Sequence, residues 1–124
     1  MRGRMTLALA VTLLALGIVV SAAEERFGVK VYEGAKLDTA TSKAISEAMS
    51  IEAFCYRTND SLAKVVEFYK KEPGLTFIDG DKESAMFKKG EVDVTVQNPW
   101  MDMKTGQLTK ETLITFVKHK EDSR

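Results

Sequence analysis

Residues 61–97, SLAKVVEFYKKEPGLTFIDGDKESAMFKKGEVDVTVQ, specify most of the architecture of this chain. Apolar side chains recur at i, i+3, i+4 and i+7 at Leu62, Val65, Val66 and Tyr69. This spacing predicts an amphipathic helix over residues 61–71, with its apolar side facing a core. The polar turn Asn59-Asp60-Ser61 supplies the N-cap, and Pro73-Gly74 ends the helix.

After Pro73-Gly74 the pattern changes to a period of two. Short strands are predicted over residues 75–78 and 82–89, and Val92, Val94 and Val96 alternate with polar residues. Strands joined by tight turns pair antiparallel, and this alternation indicates a sheet with one buried face. The segment therefore predicts a helix that packs on a β-meander.

The flanking sequence adds shorter elements. Residues 27–35 are predicted to form a short strand or an extended arm. Residues 51–58 and 112–118 are predicted to form strands. A short helix is predicted between Asp38 and Ser50, with Thr41 as N-cap and an apolar side formed by Ala44, Ile45, Ala48 and Met49. A loop is expected around Trp100. Together these elements predict an α+β fold in which one or two helices pack on a three- to four-stranded antiparallel sheet.

The first 23 residues have the three parts of a secretory signal peptide. Arg2 and Arg4 precede an uncharged apolar run, and Ser21-Ala22-Ala23 provides small residues before Glu24. Cleavage after Ala23 is predicted, which makes the protein periplasmic or secreted. The 19 uncharged residues from Met5 to Ala23 are also long enough for an uncleaved membrane anchor, and this alternative stays open.

Composition limits the mature chain to one domain, residues 24–124, with a frayed C-terminal tail from about residue 119. Removal of residues 1–23 leaves 16 basic and 18 acidic residues, a balance that argues against nucleic acid as a partner. No membrane contact is expected after cleavage. Cys55 is the only cysteine, so no intramolecular disulfide can form, and we interpret it as a small buried hydrophobe. An intermolecular disulfide is the alternative.

Four further motifs are Tyr32-x-Gly34-Ala35, Tyr56-x-Thr58-x-Asp60-Ser61, Val65-Val66-x-Phe68-Tyr69 and a late strand with Leu113-Ile114. Together they resemble a group of small exported bacterial domains with no assigned activity. In that group a turn leads into a helix that ends in Phe-Tyr, followed by a β-meander. The resemblance implies this fold and an exported location, and it transfers no catalytic residue.

No set of residues predicts catalysis or a cofactor. Asp60 and Ser61 fit the start of a helix, where free backbone N–H groups need acceptors. His119 is the only histidine and lies in the charged tail, whereas a catalytic triad requires an imidazole held by an orienting carboxylate. We therefore expect neither an enzyme nor a bound cofactor.

Met101 and Met103 form the one local cluster with metal chemistry. Two thioethers at i and i+2 of an extended segment point the same way and suit Cu(I) or Ag(I). The Met-x-Met pair beside Trp100 is similar to small periplasmic copper-efflux metallochaperones, whose site combines such a pair with a tryptophan and a histidine. Here the tryptophan is directly adjacent and no histidine is near in sequence.

The remaining prediction concerns an interaction surface. One strong helix cannot cover both faces of a sheet, so some aromatic side chains are expected to be exposed. We predict that Tyr56 and Trp100 belong to this interaction surface. The sequence thus predicts a non-enzymatic binding or interaction module of the bacterial cell envelope. Its partner is an unidentified envelope protein or small ligand, with self-association as a further option. The alternative is a periplasmic soft-metal carrier that uses Met101 and Met103.

Overall fold

The computed structural model describes residues 24–119. The predicted signal peptide and most of the predicted C-terminal tail lie outside these residues. The described chain forms ten strands and two helices. In chain order they are β1 (Glu25–Arg26), β2 (Val29–Lys30), β3 (Lys36–Leu37), α1 (Thr39–Met49), β4 (Glu52–Thr58), α2 (Leu62–Lys70), β5 (Thr76–Gly80), β6 (Ser84–Lys89), β7 (Val92–Gln97), β8 (Trp100–Asp102), β9 (Gln107–Thr109) and β10 (Thr112–Lys118).

The main sheet is antiparallel and has six strands in the order β3-β4-β10-β7-β6-β5. The predicted α+β class is confirmed, but the predicted three to four strands were too few. The last strand, β10, inserts between β7 and β4 and so joins β4 to the meander, and the two-residue β3 pairs with the outer edge of β4. Neither pairing is local in sequence, which explains the lower predicted number.

One face of this sheet carries the main core. Phe54, Phe116, Val94 and Phe87 are consecutive cross-strand partners on β4, β10, β7 and β6. The predicted alternation of β7 is confirmed, because its three valines are buried and the residues between them are only half-buried. Helix α2 covers this face through Val65 and Tyr69, both fully buried. Ser61 is its N-cap and accepts a hydrogen bond from the backbone N–H of Lys64, as predicted.

The N-terminal arm, residues 24–35, packs on the same face of the sheet. Phe27 and Gly28, at φ values of +55° and +81°, form the two-residue loop between β1 and β2. Positive φ at both loop residues matches the twist of a hairpin. Val29 and Val31 are 0% and 4% exposed, so the arm is a part of the core rather than an appendage.

Helix α1 lies along the edge of β4 and differs from its predicted orientation. The Ser42 and Ser46 side chains accept hydrogen bonds from the backbone N–H groups of Cys55 and Ala53, which closes an edge that is otherwise open. The predicted apolar side was therefore wrong in part, and Met49 is 57% exposed. The N-cap is Asp38 rather than Thr41, because Asp38 precedes the first helical turn and accepts from the Thr41 N–H.

The opposite edge of the sheet is β5, whose residues are all exposed. A register shift between Phe77 and Asp79 interrupts its pairing with β6. A bulge and a charged residue on an edge strand both discourage pairing with another chain. Within the described residues, no helix is long and apolar enough to cross a membrane.

Candidate functional site

The region predicted as a loop around Trp100 is instead a separate hairpin of β8 and β9. Its turn is fixed by Asp102, whose Oδ1 accepts from the Lys104 N–H at 2.9 Å and whose carbonyl oxygen accepts from the Gly106 N–H at 2.7 Å. An aspartate that bonds to the backbone two residues ahead stabilises a turn in this way. Gly106 adopts a φ of +72°, a conformation that glycine reaches without strain.

The two faces of the hairpin differ in chemistry. Trp100 and Asp102 point inward and are 4% and 7% exposed. Met101 lies directly opposite Leu108 in the register, and directly opposed residues share a face. Both are outward, at 53% and 63% exposure, and Met103 in the turn is 70% exposed. We call these three exposed apolar side chains, Met101, Met103 and Leu108, the hairpin patch.

Arg57 holds the inward face of the hairpin to the rest of the fold. From β4, its Nη1 lies 3.2 Å from Asp38 Oδ2 and its Nη2 lies 3.3 Å from Asp102 Oδ2. Its Nε lies 2.9 Å from Glu111 Oε1, although the N–H does not point along the line to that oxygen. One guanidinium therefore joins the start of α1, the hairpin and the loop before β10.

Trp100 packs beneath this ion-pair cluster. The Arg57 guanidinium carbon lies 4.9 Å from the centre of the indole ring, within the range of a cation–π interaction. Trp100, Cys55 and Leu113 form a second apolar cluster, distinct from the main core, with Ile45 of α1 packed against it. The hairpin is thus anchored by both apolar packing and charge.

The Asp38 side chain is 9% exposed, about as buried as that of Asp102. Burial by itself raises the pKa of Asp38. The hydrogen bonds from the Thr41 N–H and hydroxyl group, with the charges of Arg57 and Lys104, outweigh burial and lower the pKa below its ordinary value. The folded protein therefore favours the ionised form of Asp38.

This lowered pKa predicts a loss of stability in acid. A carboxylate with a depressed folded-state pKa contributes stability above its unfolded value of about 3.9, and the contribution disappears as the pH falls through the folded pKa. We expect the urea midpoint to fall as the pH is lowered from about 4 towards 2. Asp38→Asn should lower the midpoint at pH 7 and make it less sensitive to pH in that window. An Asp38→Asn variant with the wild-type pH profile would contradict the assignment.

The two residues predicted for an interaction surface are both buried. Tyr56 is 0% exposed, and its hydroxyl group donates to Glu24 Oε2 at 2.5 Å and accepts from Arg26 Nε at 2.6 Å. Trp100 is 4% exposed. This corrects their predicted surface placement: the arm covers Tyr56, and the hairpin turns Trp100 inward. The exposed surface belongs to the neighbours of Trp100 instead.

The predicted soft-metal residues are accessible, but the histidine is not near them. Met101 and Met103 are in the hairpin patch, whereas the His119 ring lies elsewhere, with Nε2 2.7 Å from Asp93 Oδ2. The backbone N–H of His119 donates to the Glu91 carbonyl. His119 follows the last residue of β10, whereas Trp100 of the hairpin packs with Leu113 near the start of that strand. Seven residues of strand separate the two ends by about 20 Å. Among residues 24–119 no group of three or more His, Cys, Asp or Glu side chains has metal-binding geometry.

The side chain and the backbone of His119 are both bonded, to Asp93 and to the Glu91 carbonyl. Asp60 lies at the other end of β10, where its carbonyl accepts from the Thr112 hydroxyl group at 2.6 Å. The structure therefore does not bring Asp60, Ser61 and His119 together. The Asp60 carboxylate instead accepts from the Tyr32 hydroxyl group at 2.5 Å and raises the Tyr32 pKa to about 12.

Cys55 is fully buried and free, in the position expected of a small hydrophobe. Its thiol lies 3.7 Å from the Thr115 hydroxyl oxygen, and burial raises the thiol pKa. A raised pKa disfavours the thiolate, which is the reactive form.

Most of the residues that anchor or complete the hairpin were missed by sequence reasoning. Arg57, Asp38 and Glu111 come from separate elements, and Leu108 becomes a partner of Met101 only through the hairpin register.

Comparisons of the chain with protein-family models, curated proteins and solved structures find no match.

Proposed function

We propose that this chain is an exported, non-enzymatic interaction module of the bacterial cell envelope that contacts its partner through the hairpin patch. The observation that carries the proposal is the division of one hairpin into an anchored face and an exposed apolar face. Met101, Met103 and Leu108 are each more than half exposed, although burial of such side chains stabilises a fold. Exposed apolar side chains that lie together are typical of contact surfaces.

Anchoring by Arg57 supports this use of the hairpin. A contact surface that is already held in its binding conformation loses less conformational entropy on association. The ion pairs to Asp102 and Glu111 hold β8 and the loop after β9. Methionine side chains in addition adapt to irregular partner surfaces, because they are unbranched and polarisable.

Export is the second part of the proposal and rests on the signal-peptide pattern of residues 1–23. Cleavage after Ala23 retains Glu24, whose carbonyl oxygen accepts from the Val31 N–H and whose carboxylate accepts from the Tyr56 hydroxyl group. We expect N-terminal sequencing of the periplasmic protein to begin at Glu24. Recovery of only full-length chain in the membrane fraction would support the uncleaved anchor instead.

The contact surface is tested by binding to a total envelope fraction. We expect the purified mature protein to co-sediment with this fraction, and Met101→Glu/Leu108→Glu to weaken binding at least about tenfold, because each charge must be desolvated at the contact. Met49→Glu is the matched control, since Met49 is similarly exposed but lies on α1. Equal binding by the two variants, or no binding by the wild type, would refute the hairpin patch as the contact surface.

A soft-metal carrier is the second candidate, favoured by the exposure of both thioethers. Under the interaction proposal, stoichiometric Ag(I) is expected to change neither the melting temperature nor the fluorescence of Trp100. A carrier would show both effects and lose them in Met101→Ile/Met103→Ile, which keeps apolar volume but removes the sulfur atoms. A saturable, methionine-dependent shift would favour the carrier.

A further inference from the structure

The charges around the hairpin patch are distributed unevenly. Residues 100–112 contain two acidic and two basic side chains. Both acidic side chains, Asp102 and Glu111, are paired with Arg57. Lys104 and Lys110 are exposed, and neither forms an ion pair with another residue in the range 24–119. Two exposed amines therefore flank the apolar side chains in sequence, whereas both carboxylates of this segment face the Arg57 guanidinium.

We propose that the hairpin patch, with Lys104 and Lys110, binds an anionic phospholipid surface. The inference rests on the proposed function, because it names the partner of the same surface. Apolar side chains flanked by lysines suit the membrane interface, where the apolar groups enter the boundary of the acyl chains and the amines meet anionic headgroups. The long methylene stem of lysine also lets its amine reach the headgroups while apolar neighbours insert.

The charge pattern favours lipid over an apolar protein pocket. An apolar protein pocket would take the apolar side chains but would offer the two exposed amines no counter-charge. The two-stranded hairpin is separate from the main sheet, so its tip is free of strand neighbours that would keep it from a flat surface. This peripheral contact differs from the expectation, drawn from sequence, that the mature domain touches no membrane.

The inference is tested by sedimentation of the mature protein with vesicles of equal parts phosphatidylglycerol and phosphatidylcholine. We expect the protein to bind these anionic vesicles at least about tenfold more tightly than vesicles of pure phosphatidylcholine. Binding to the anionic vesicles should weaken in 0.5 M NaCl, because salt screens the lysine charges. Lys104→Gln/Lys110→Gln should weaken binding about tenfold, and Met101→Gln/Leu108→Gln by a similar factor. Met49→Gln should bind like the wild type, and unchanged urea midpoints show that all three variants fold.

The possible results separate this inference from the proposed function. Binding to the envelope fraction without binding to anionic vesicles would overturn the lipid assignment, and the hairpin patch would then contact a protein. Equal binding to anionic and neutral vesicles would overturn the role of the lysines. If Met49→Gln weakened vesicle binding as much as Met101→Gln/Leu108→Gln, the assignment to the hairpin would fail.

Discussion

Arg57→Met is expected to lower the free energy of unfolding by about 2–4 kcal/mol. The substitution leaves Asp38 and Asp102, whose side chains are 9% and 10% exposed, without the cation that compensates them. The arginine itself is 30% exposed, so solvent reduces the loss below that of a fully buried pair. Urea unfolding at pH 7 and moderate salt measures the effect, and Lys64→Met, on the exposed side of α2, should change stability by less than about 0.5 kcal/mol.

A second substitution shows whether charge causes this loss. Asp102→Asn removes one of the carboxylates left without its cation, so Arg57→Met/Asp102→Asn should be less destabilised than the sum of the single variants. The hairpin should also loosen in Arg57→Met, with a red shift of the fluorescence of Trp100, the only tryptophan. Additive losses together with an unchanged emission spectrum would contradict the role of Arg57 as an anchor.

Tyr69→Ala should destabilise the protein by about 3–5 kcal/mol, because it removes a fully buried aromatic side chain. Tyr69 connects α2 to the arm: its hydroxyl group accepts from the Tyr32 N–H at 2.9 Å and donates to the Lys30 carbonyl at 2.8 Å. Tyr69→Phe keeps the ring but leaves these backbone groups without partners, for an expected loss of about 1–3 kcal/mol.

The matched control is Tyr32→Phe. The Tyr32 hydroxyl group bonds to Asp60 in a region that water reaches, so water replaces the lost bond and the expected change is below about 1 kcal/mol. Thermal or urea unfolding of the three variants gives the comparison. If Tyr69→Phe were as stable as Tyr32→Phe, the arm would not depend on the hydroxyl group of Tyr69.

The elements that could be predicted from sequence are those with one buried face and a regular period. Helix α2 and strand β7 have such a pattern, and Ser61 marks the start of α2. The orientation of helix α1 was predicted wrongly in part, because its inward residues include Ser42 and Ser46, which bond to a strand edge and look like a polar surface in the sequence. The three-residue strands β8 and β9 are too short for a periodic pattern.

The anchor of the hairpin could not be predicted for a different reason. Arg57 is 19 residues from Asp38 and 45 residues from Asp102, and only the sheet topology brings them together. Met101 and Met103 were predicted as a soft-metal pair beside Trp100, but which of these side chains point outward depends on the hairpin register. Leu108, in a polar segment, gave no signal of its own.

The hairpin patch as a contact surface is tested by the rate of maleimide modification at Leu108→Cys. The native Cys55 is fully buried and so contributes little background in the folded protein. We predict that an envelope fraction slows modification of Leu108→Cys at least about fivefold, because the partner covers that position, and leaves Met49→Cys unchanged. Equal rates at Leu108→Cys with and without the envelope fraction would contradict the proposed contact surface.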